Sequence, residues 1–209
     1  VETKATGETN IVEPFEIPQD WPIHLGWDFG PANTACSAYA EDPKTGIFYG
    51  FMSYHGASES AEKHVQRVRE KTKRKEQIAW GGSNGEDEWR RKYKQAGMFI
   101  RLSPISGPGS VGAGISAGYQ MISTRKVKWF STLTSMISEL QSMSYIVDGD
   151  GRVTDEVRDK RVWHRADTFR AFASATARKI TPKRHGSRFD KPTVSERDLL
   201  PLRSGTTTN

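Results

Sequence analysis

Apolar positions recur at strand and helix spacing only from Ile23 onward, and the chain before it is polar and broken by Pro14, Pro18 and Pro22. Residues 1–22 therefore read as extended linker. The run Ile23-His24-Leu25-Gly26-Trp27-Asp28-Phe29-Gly30 predicts a strand that stops at Gly30-Pro31. Runs at 33–40 and 46–54 predict a hairpin around Asp42-Pro43-Lys44-Thr45-Gly46, so three strands open the domain in succession. Helical spacing of Ala61, His64, Val65 and Val68 predicts a helix over 60–74, capped by Ser58 or Ser60. A short strand follows at 77–80. A helix at 86–96 then closes at Gly97, where a glycine suits the left-handed C-terminal position, and a strand at 98–102 comes next. Five glycines and two prolines fall within 103–118, which predicts a mobile loop or tight insert. Further on, 132–145 reads as an amphipathic helix and 145–154 as a small hairpin about Asp148-Gly149-Asp150-Gly151. A last helix is expected over 163–179, ended by Pro182.

This order predicts a mixed α/β domain over 23–180, a five-stranded sheet with its first three strands antiparallel and helices covering it. It is similar to the order of the ribonuclease H-like fold. A chain of 209 residues is ample for one such core. No stretch approaches the roughly 20 apolar residues of a membrane helix, and Cys36, the single cysteine, excludes an internal disulfide or a structural zinc site. A reducing, intracellular setting is expected. The start at Val1 rather than Met, ahead of a polar run, leads us to expect an upstream neighbour in a longer polypeptide.

Charge sharpens the choice of partner. The net charge is +6, and eight Lys or Arg against Asp190, Glu196 and Asp198 put +5 of it between Arg178 and Arg203. Residues 181–209 thus form a basic, flexible tail suited to a polyanion. Two further basic runs lie in the body, at Lys71, Lys73, Arg74 and Lys75 and at Arg90, Arg91, Lys92 and Lys94. Solvated helix faces account for such runs more often than binding does.

The candidate chemistry is carboxylate chemistry. Asp28 ends a strand beside a turn, and His164 and Asp167, three residues apart, share one face of the last helix. Two hard divalent cations about 3.5–4 Å apart can clamp the attacking and leaving oxygens of a phosphodiester, and they require two to four acidic groups from different elements. No Walker-type Gly-Lys-Ser/Thr ending accompanies the glycines, so nucleotide binding at that loop is excluded.

At this point the residues carry a resemblance. The run Glu13-Pro14-Phe15-Glu16-Ile17-Pro18-Gln19-Asp20-Trp21-Pro22, followed by Gly26-Trp27-Asp28-Phe29-Gly30, resembles the entry to the nuclease domain of tailed-bacteriophage terminase large subunits. Trp163-His164-Arg165-Ala166-Asp167-Thr168-Phe169-Arg170 is similar to that family's Asp-His-x-x-Asp-Ala-Leu-Arg pattern, with Trp163 replacing its first Asp. The resemblance implies a ribonuclease H-like, two-metal (Mg²⁺ or Mn²⁺) endonuclease that cuts concatemeric double-stranded DNA during packaging. It places Asp28 as the first-strand metal ligand, with His164 and Asp167 as the last-helix pair. The family's second acid is missing, because Gly81-Gly82 stand where an aspartate is usual. Glu86 and Asp87 are the available substitutes. Lys73, Arg74, Lys75, Arg165, Lys183 and Arg184 are the candidate DNA contacts. An upstream ATPase domain, the small terminase subunit and the portal are the implied partners, with the host cytoplasm as setting and no membrane. The missing acid also leaves open a catalytically weak DNA-binding or docking module. Asp28-Phe29-Gly30 with Thr34 is loosely similar to a phosphate-binding hairpin of actin-like and sugar-kinase folds.

Overall fold

The computed structural model describes residues 9–105, 107, 109–159 and 162–180. Strands β1 (Ile11–Val12), β2 (Ile23–Asp28), β3 (Thr34–Glu41), β4 (Phe48–Gly56), β5 (Ile78–Gly81), β6 (Ile100–Arg101) and β7 (Val127–Phe130) form one sheet in the order β1-β7-β4-β3-β2-β5-β6. β2, β3 and β4 pair antiparallel, as the hairpin spacing predicts. The remaining pairs, β2 with β5, β5 with β6, β4 with β7 and β1 with β7, are parallel.

Side chains alternate across β2 and β3 and so build a core on each face of the sheet. Ile23, Leu25, Trp27, Cys36, Ala38 and Ala40 pack with Val65 and Val68 of α1 (Ala61–Thr72) and Tyr93 of α2 (Asp87–Gln95). On the other face, Tyr39, Phe48, Val127 and Trp129 pack beneath three helices, α3 (Ser110–Ser123), α4 (Thr134–Ser142) and α5 (His164–Ile180). Helix α1 starts where Ser60 accepts a hydrogen bond from the Lys63 N–H at 3.4 Å, and it ends in the left-handed Lys73 at φ 54°. A separate hairpin, β8 (Tyr145–Val147) with β9 (Val153–Val157), stands apart from the main sheet where a small hairpin was expected. Asp148 closes its turn by accepting the N–H groups of Asp150 (3.0 Å) and Arg152 (2.8 Å).

The sheet has seven strands rather than the expected five. Both additions lie at one edge. β7 spans four residues behind Arg125-Lys126, too short for its alternation to register. β1 lies inside the stretch expected to be linker. Asn10 is fully buried, its side-chain amide donates to the Ile122 and Val127 carbonyls at 3.0 and 2.9 Å, and its carbonyl accepts from the Trp129 N–H at 2.7 Å. Ile17 is also buried in the core. Residues 10–17 are therefore part of the folded domain.

A second correction concerns 103–118, expected as a loop, where the chain turns into α3 from Ser110. The helix forms despite its glycines because they let it press onto α5. A Cβ at Gly114 would stand 2.6 Å from Arg170 Cγ, and one at Gly118 would stand 3.0 Å from the Phe169 ring. Tertiary packing overrides propensity here. The expected tail, 181–209, lies outside the described residues. Among the described residues no helix is long and apolar enough to cross a membrane.

Candidate active site

Strand β2 and helix α5 are matched in repeat. Two residues of strand advance about 6.6 Å and four residues of helix about 6 Å, so every second position of β2 meets one turn of α5. The helix runs against the strand direction. His24 lies near Phe172 with ring centroids 6.3 Å apart, Gly26 lies under Thr168, and Asp28 meets His164. The middle contact allows the close approach, since a Cβ at Gly26 would fall 2.0 Å from the Thr168 carbonyl oxygen. With α5 seated on the sheet in this way, the strand-end carboxylate and the first turn of the last helix come together.

His164 Nδ1 and Asp28 Oδ2 are hydrogen-bonded at 3.0 Å, and the His55 ring stacks on His164 at a centroid distance of 5.5 Å. Asp167, one turn along α5, pairs through Oδ1 with Arg170 Nε at 2.7 Å. Asp28 and Asp167 line one cleft of about 180 Å³ with Arg170, Glu86, Ser83 and Ser103. Burial pushes the Asp28 carboxyl up to about 7, and the facing charge of Asp167 adds to the rise. His164 and Arg170 oppose it. The first turn of α5 is fixed from outside. Glu139 of α4 accepts the N–H groups of Arg165 (2.8 Å) and Ala166 (3.1 Å) and pairs with the Arg165 guanidinium at 2.7 Å.

The two substitutes for the missing acid separate. Glu86 lines the cleft, where its carboxylate accepts the Ser83 N–H at 2.6 Å. Asp87 is turned away. Its side chain is 79% exposed and paired with Arg90 at 2.5 Å, because one step along the first turn of α2 rotates it off the cleft wall. An acid at the glycine pair is sterically excluded. A Cβ at Gly81 would stand 2.7 Å from Trp27 Cβ and from its carbonyl oxygen, and Gly82 holds φ +73° with Phe29 and Arg90 2.7 Å from any added Cβ.

Asp28 and Asp167 present hard oxygen donors that repel one another in a partly dry cleft, a donor set that fits a divalent cation retaining waters. Among the described residues no three His, Cys, Asp or Glu side chains converge closely enough to hold a metal ion in this arrangement. Glu86, the further acid on the cleft wall, is held through Oε2 by the Ser83 N–H. Ser103 went unnoticed in the sequence. Its hydroxyl is buried at the cleft wall without a hydrogen-bond partner, a place no local pattern reveals. Arg170 was visible three residues after Asp167, as a possible i,i+3 partner.

Most of the DNA-contact candidates are placed elsewhere. The Gln77 N–H donates to the Ile23 carbonyl at 2.8 Å, which puts Lys73, Arg74 and Lys75 beyond the start of β2. That is about 16 Å along the strand from Asp28. Arg74 is moreover bound to the carbonyls of Pro18 (2.6 Å) and Ile17. Arg165 is engaged by Glu139. Lys183 and Arg184 lie outside the described residues.

No protein-family profile matches the sequence, and no curated protein matches it. Solved structures do. The large terminase nuclease domain of bacteriophage SPP1 with bound Mn is 20% identical at a TM-score of 0.57, covering 81% of this chain and 97% of that one. The large terminase nuclease of thermophilic phage G20c with bound magnesium is 17% identical at a TM-score of 0.54, covering 79% and 90%. A large terminase from another thermophilic bacteriophage, in complex with ADP, is 13% identical at a TM-score of 0.65, covering 78% of this chain and 41% of that one. This chain thus spans nearly the whole of the first two, which are nuclease domains, and less than half of the third. At these identities the likeness is one of fold, and the chain has the ribonuclease H-like fold of large terminase nuclease domains.

Proposed function

We propose that this chain is the metal-dependent endonuclease domain of a viral DNA-packaging terminase, cutting concatemeric double-stranded DNA with low sequence specificity. The observation that carries the reading is the Asp28–Asp167 pair, brought from the first core strand and the last helix into one cleft. Mn and Mg in the SPP1 and G20c nucleases support Mn²⁺ or Mg²⁺ as the ion. Asp28 and Asp167 would hold it, and Glu86, released from Ser83, is the acid available for the second ion of a two-metal site. A bound divalent cation supplies an activated water and neutralises charge developing on the phosphodiester.

The chain's own residues set the geometry. His164 holds the Oδ2 of Asp28 and Arg170 holds the Oδ1 of Asp167, so each carboxylate is fixed through one oxygen. Glu139 anchors the turn that carries His164. Nothing in the sequence resembles a base-reading helix, so recognition would rest on phosphates and on other subunits. An ATPase domain upstream in the same polypeptide, with the small terminase subunit and portal as partners, completes the reading, and the ADP-bound large terminase, more than twice as long as its matched part, supports the first of these.

One observation favours a second reading, a DNA-docking module with weak catalysis, because the third carboxylate is engaged with Ser83. Supercoiled plasmid incubated with Mn²⁺, Mg²⁺ or EDTA separates the two. Metal-dependent nicking and linearisation that vanish in Asp28→Asn and Asp167→Asn are expected, with Glu86→Gln reporting on the third ligand. Retention of DNA without cleavage in any metal would favour the docking module.

A further inference from the structure

With Lys73 to Lys75 at the far end of β2 and Arg165 engaged, the duplex must meet the domain elsewhere. Strand β6 is the sheet edge, and it is parallel to β5 with Arg101 opposite Trp80, which is itself opposite Gly26, so Arg101 is level with β2 two residues before Asp28. Beside it runs an open groove of about 500 Å³ formed by β6 and α2. Its rim carries Arg91 and Lys94 from the helix and Arg101 from the strand, all exposed. Phe99, 61% exposed, and Leu102 lie between them. No acidic side chain lines this groove, and among the described residues no carboxylate pairs with Arg91, Lys94 or Arg101. Elsewhere on α2 cations are neutralised locally, Arg90 by Asp87 and Lys92 by Glu88. Arg101 instead rests over the Trp80 ring at 5.7 Å, which holds the guanidinium without consuming its charge.

The groove is continuous with the cleft. Leu102 at its end is followed by Ser103 of the cleft wall, and Arg90, which also lines the groove, donates to the Ser83 carbonyl at 2.8 Å on the cleft side. Three cations on two elements, none held in a salt bridge among the described residues, lie beside a carboxylate pair and are charge-complementary to a phosphate backbone. Acidic carboxylates alone would repel the substrate, so a cationic approach beside them is what a nuclease of this geometry needs. We propose that the α2–β6 edge is the track on which double-stranded DNA lies as it enters the cleft, with Arg91, Lys94 and Arg101 as its phosphate contacts. The inference rests on the nuclease reading above.

The test is fluorescence-anisotropy binding of a random-sequence duplex of about 30 base pairs in EDTA across a salt series, on the full chain. Single Arg91→Ala, Lys94→Ala and Arg101→Ala replacements are expected to lower the slope of log affinity against log salt by about 1 each, equally for unrelated sequences. The triple variant should lose more than about tenfold in affinity at low salt, and Lys73→Ala with Lys75→Ala should lose little. Circular dichroism melting controls for folding, and Arg101→Lys should retain the slope that Arg101→Ala loses. An unchanged slope in the triple variant, or equal losses in the Lys73/Lys75 variant, would overturn the inference. So would a triple variant that alters only sedimentation of the protein, which would mark the edge as a protein contact. If wild-type chain cleaves while the triple variant binds normally, the track is wrong and the nuclease reading stands. If the slope falls as expected but no metal yields cleavage, the track stands and the nuclease reading fails.

Discussion

Replacing Gly26 by alanine isolates the contact on which the site depends. The added methyl would lie 2.0 Å from the Thr168 carbonyl oxygen, 2.9 Å from its carbon and 3.2 Å from Phe172 Cβ, where ordinary contact begins at 3.4 Å. Relief requires α5 to retreat from β2 by roughly 1.4 Å, since neither main chain can rotate away as a side chain would. Overpacking a tight core costs about 1–3 kcal/mol, and a clash of backbone with backbone belongs at the upper end. For a chain of 209 residues about 3 kcal/mol lowers Tm by about 6–12 °C. The same retreat carries Asp167 and His164 away from Asp28, and a displacement near 1 Å costs about 10²-fold in rate. Thermal unfolding by circular dichroism and metal-dependent plasmid nicking on the same samples, normalised to folded protein, measure both effects. Gly112→Ala is the control, because a Cβ there meets nothing within 4 Å and alanine favours the helix by up to about 1 kcal/mol. A Gly26→Ala protein that melts like wild type would refute the packing argument. One that melts lower but nicks at full rate would refute the link from packing to site.

Other outcomes follow from the same geometry. Asp28 has a folded-state pKa of about 7 against 3.8 unfolded, so the fold binds the extra proton and in EDTA its stability declines as pH rises from 4 toward 7. Asp28→Asn should flatten that decline in pH-dependent melts and stabilise the chain most near pH 7–8, and a decline unchanged in the variant would contradict the assignment. Glu139→Ala removes the acceptor for two N–H groups at the start of α5 and should cost about 1–2 kcal/mol in denaturant titration. Ser103→Ala deletes an unpartnered buried hydroxyl and should leave stability equal or raise it by up to about 1 kcal/mol, while any fall in nicking at unchanged Tm would show the hydroxyl at work in the cleft. Gly82→Asp should lower Tm and bring no gain in nicking, because a side chain there meets Phe29 and Arg90 at a positive φ.

The parts of the site that could be read in the sequence are those with a local signature. Asp28 is marked by a strand ending in a Gly-Pro turn, and His164 with Asp167 by spacing on one helix face. Their meeting was legible only through the order of elements. What could not be read depended on contacts far away in the chain. Helix α3 was hidden because glycine content signals a loop unless one knows that Arg170 and Phe169 need the space. Glu86 and Asp87 are adjacent, and only the rotation of the first turn of α2 decides which faces the cleft. β1 was masked by its two-residue length, by the prolines that follow it and by a partner strand more than a hundred residues later. Basic runs carry no direction in sequence, so Lys73, Arg74 and Lys75 were expected as contacts ahead of the run at Arg90 to Lys94, and Arg101, alone on its strand, gave no signal.

The pairing of Asp28 with His164 spans 136 positions, which gives the domain an order in time. Chains are made N-terminus first, so the strands of the sheet are available before α5 exists. Until that helix arrives, the row His24, Gly26 and Asp28 faces water, and Asp28 has neither the burial nor the neighbouring charge that perturb it. Closing so long a span is slow and yields its contacts only at the end. The cleft is therefore among the last features to form during synthesis or refolding. A chain stalled or clipped before His164 carries the strands of the main sheet yet lacks the acidic pair, so under the nuclease reading proposed above an unfinished molecule would be unable to cut.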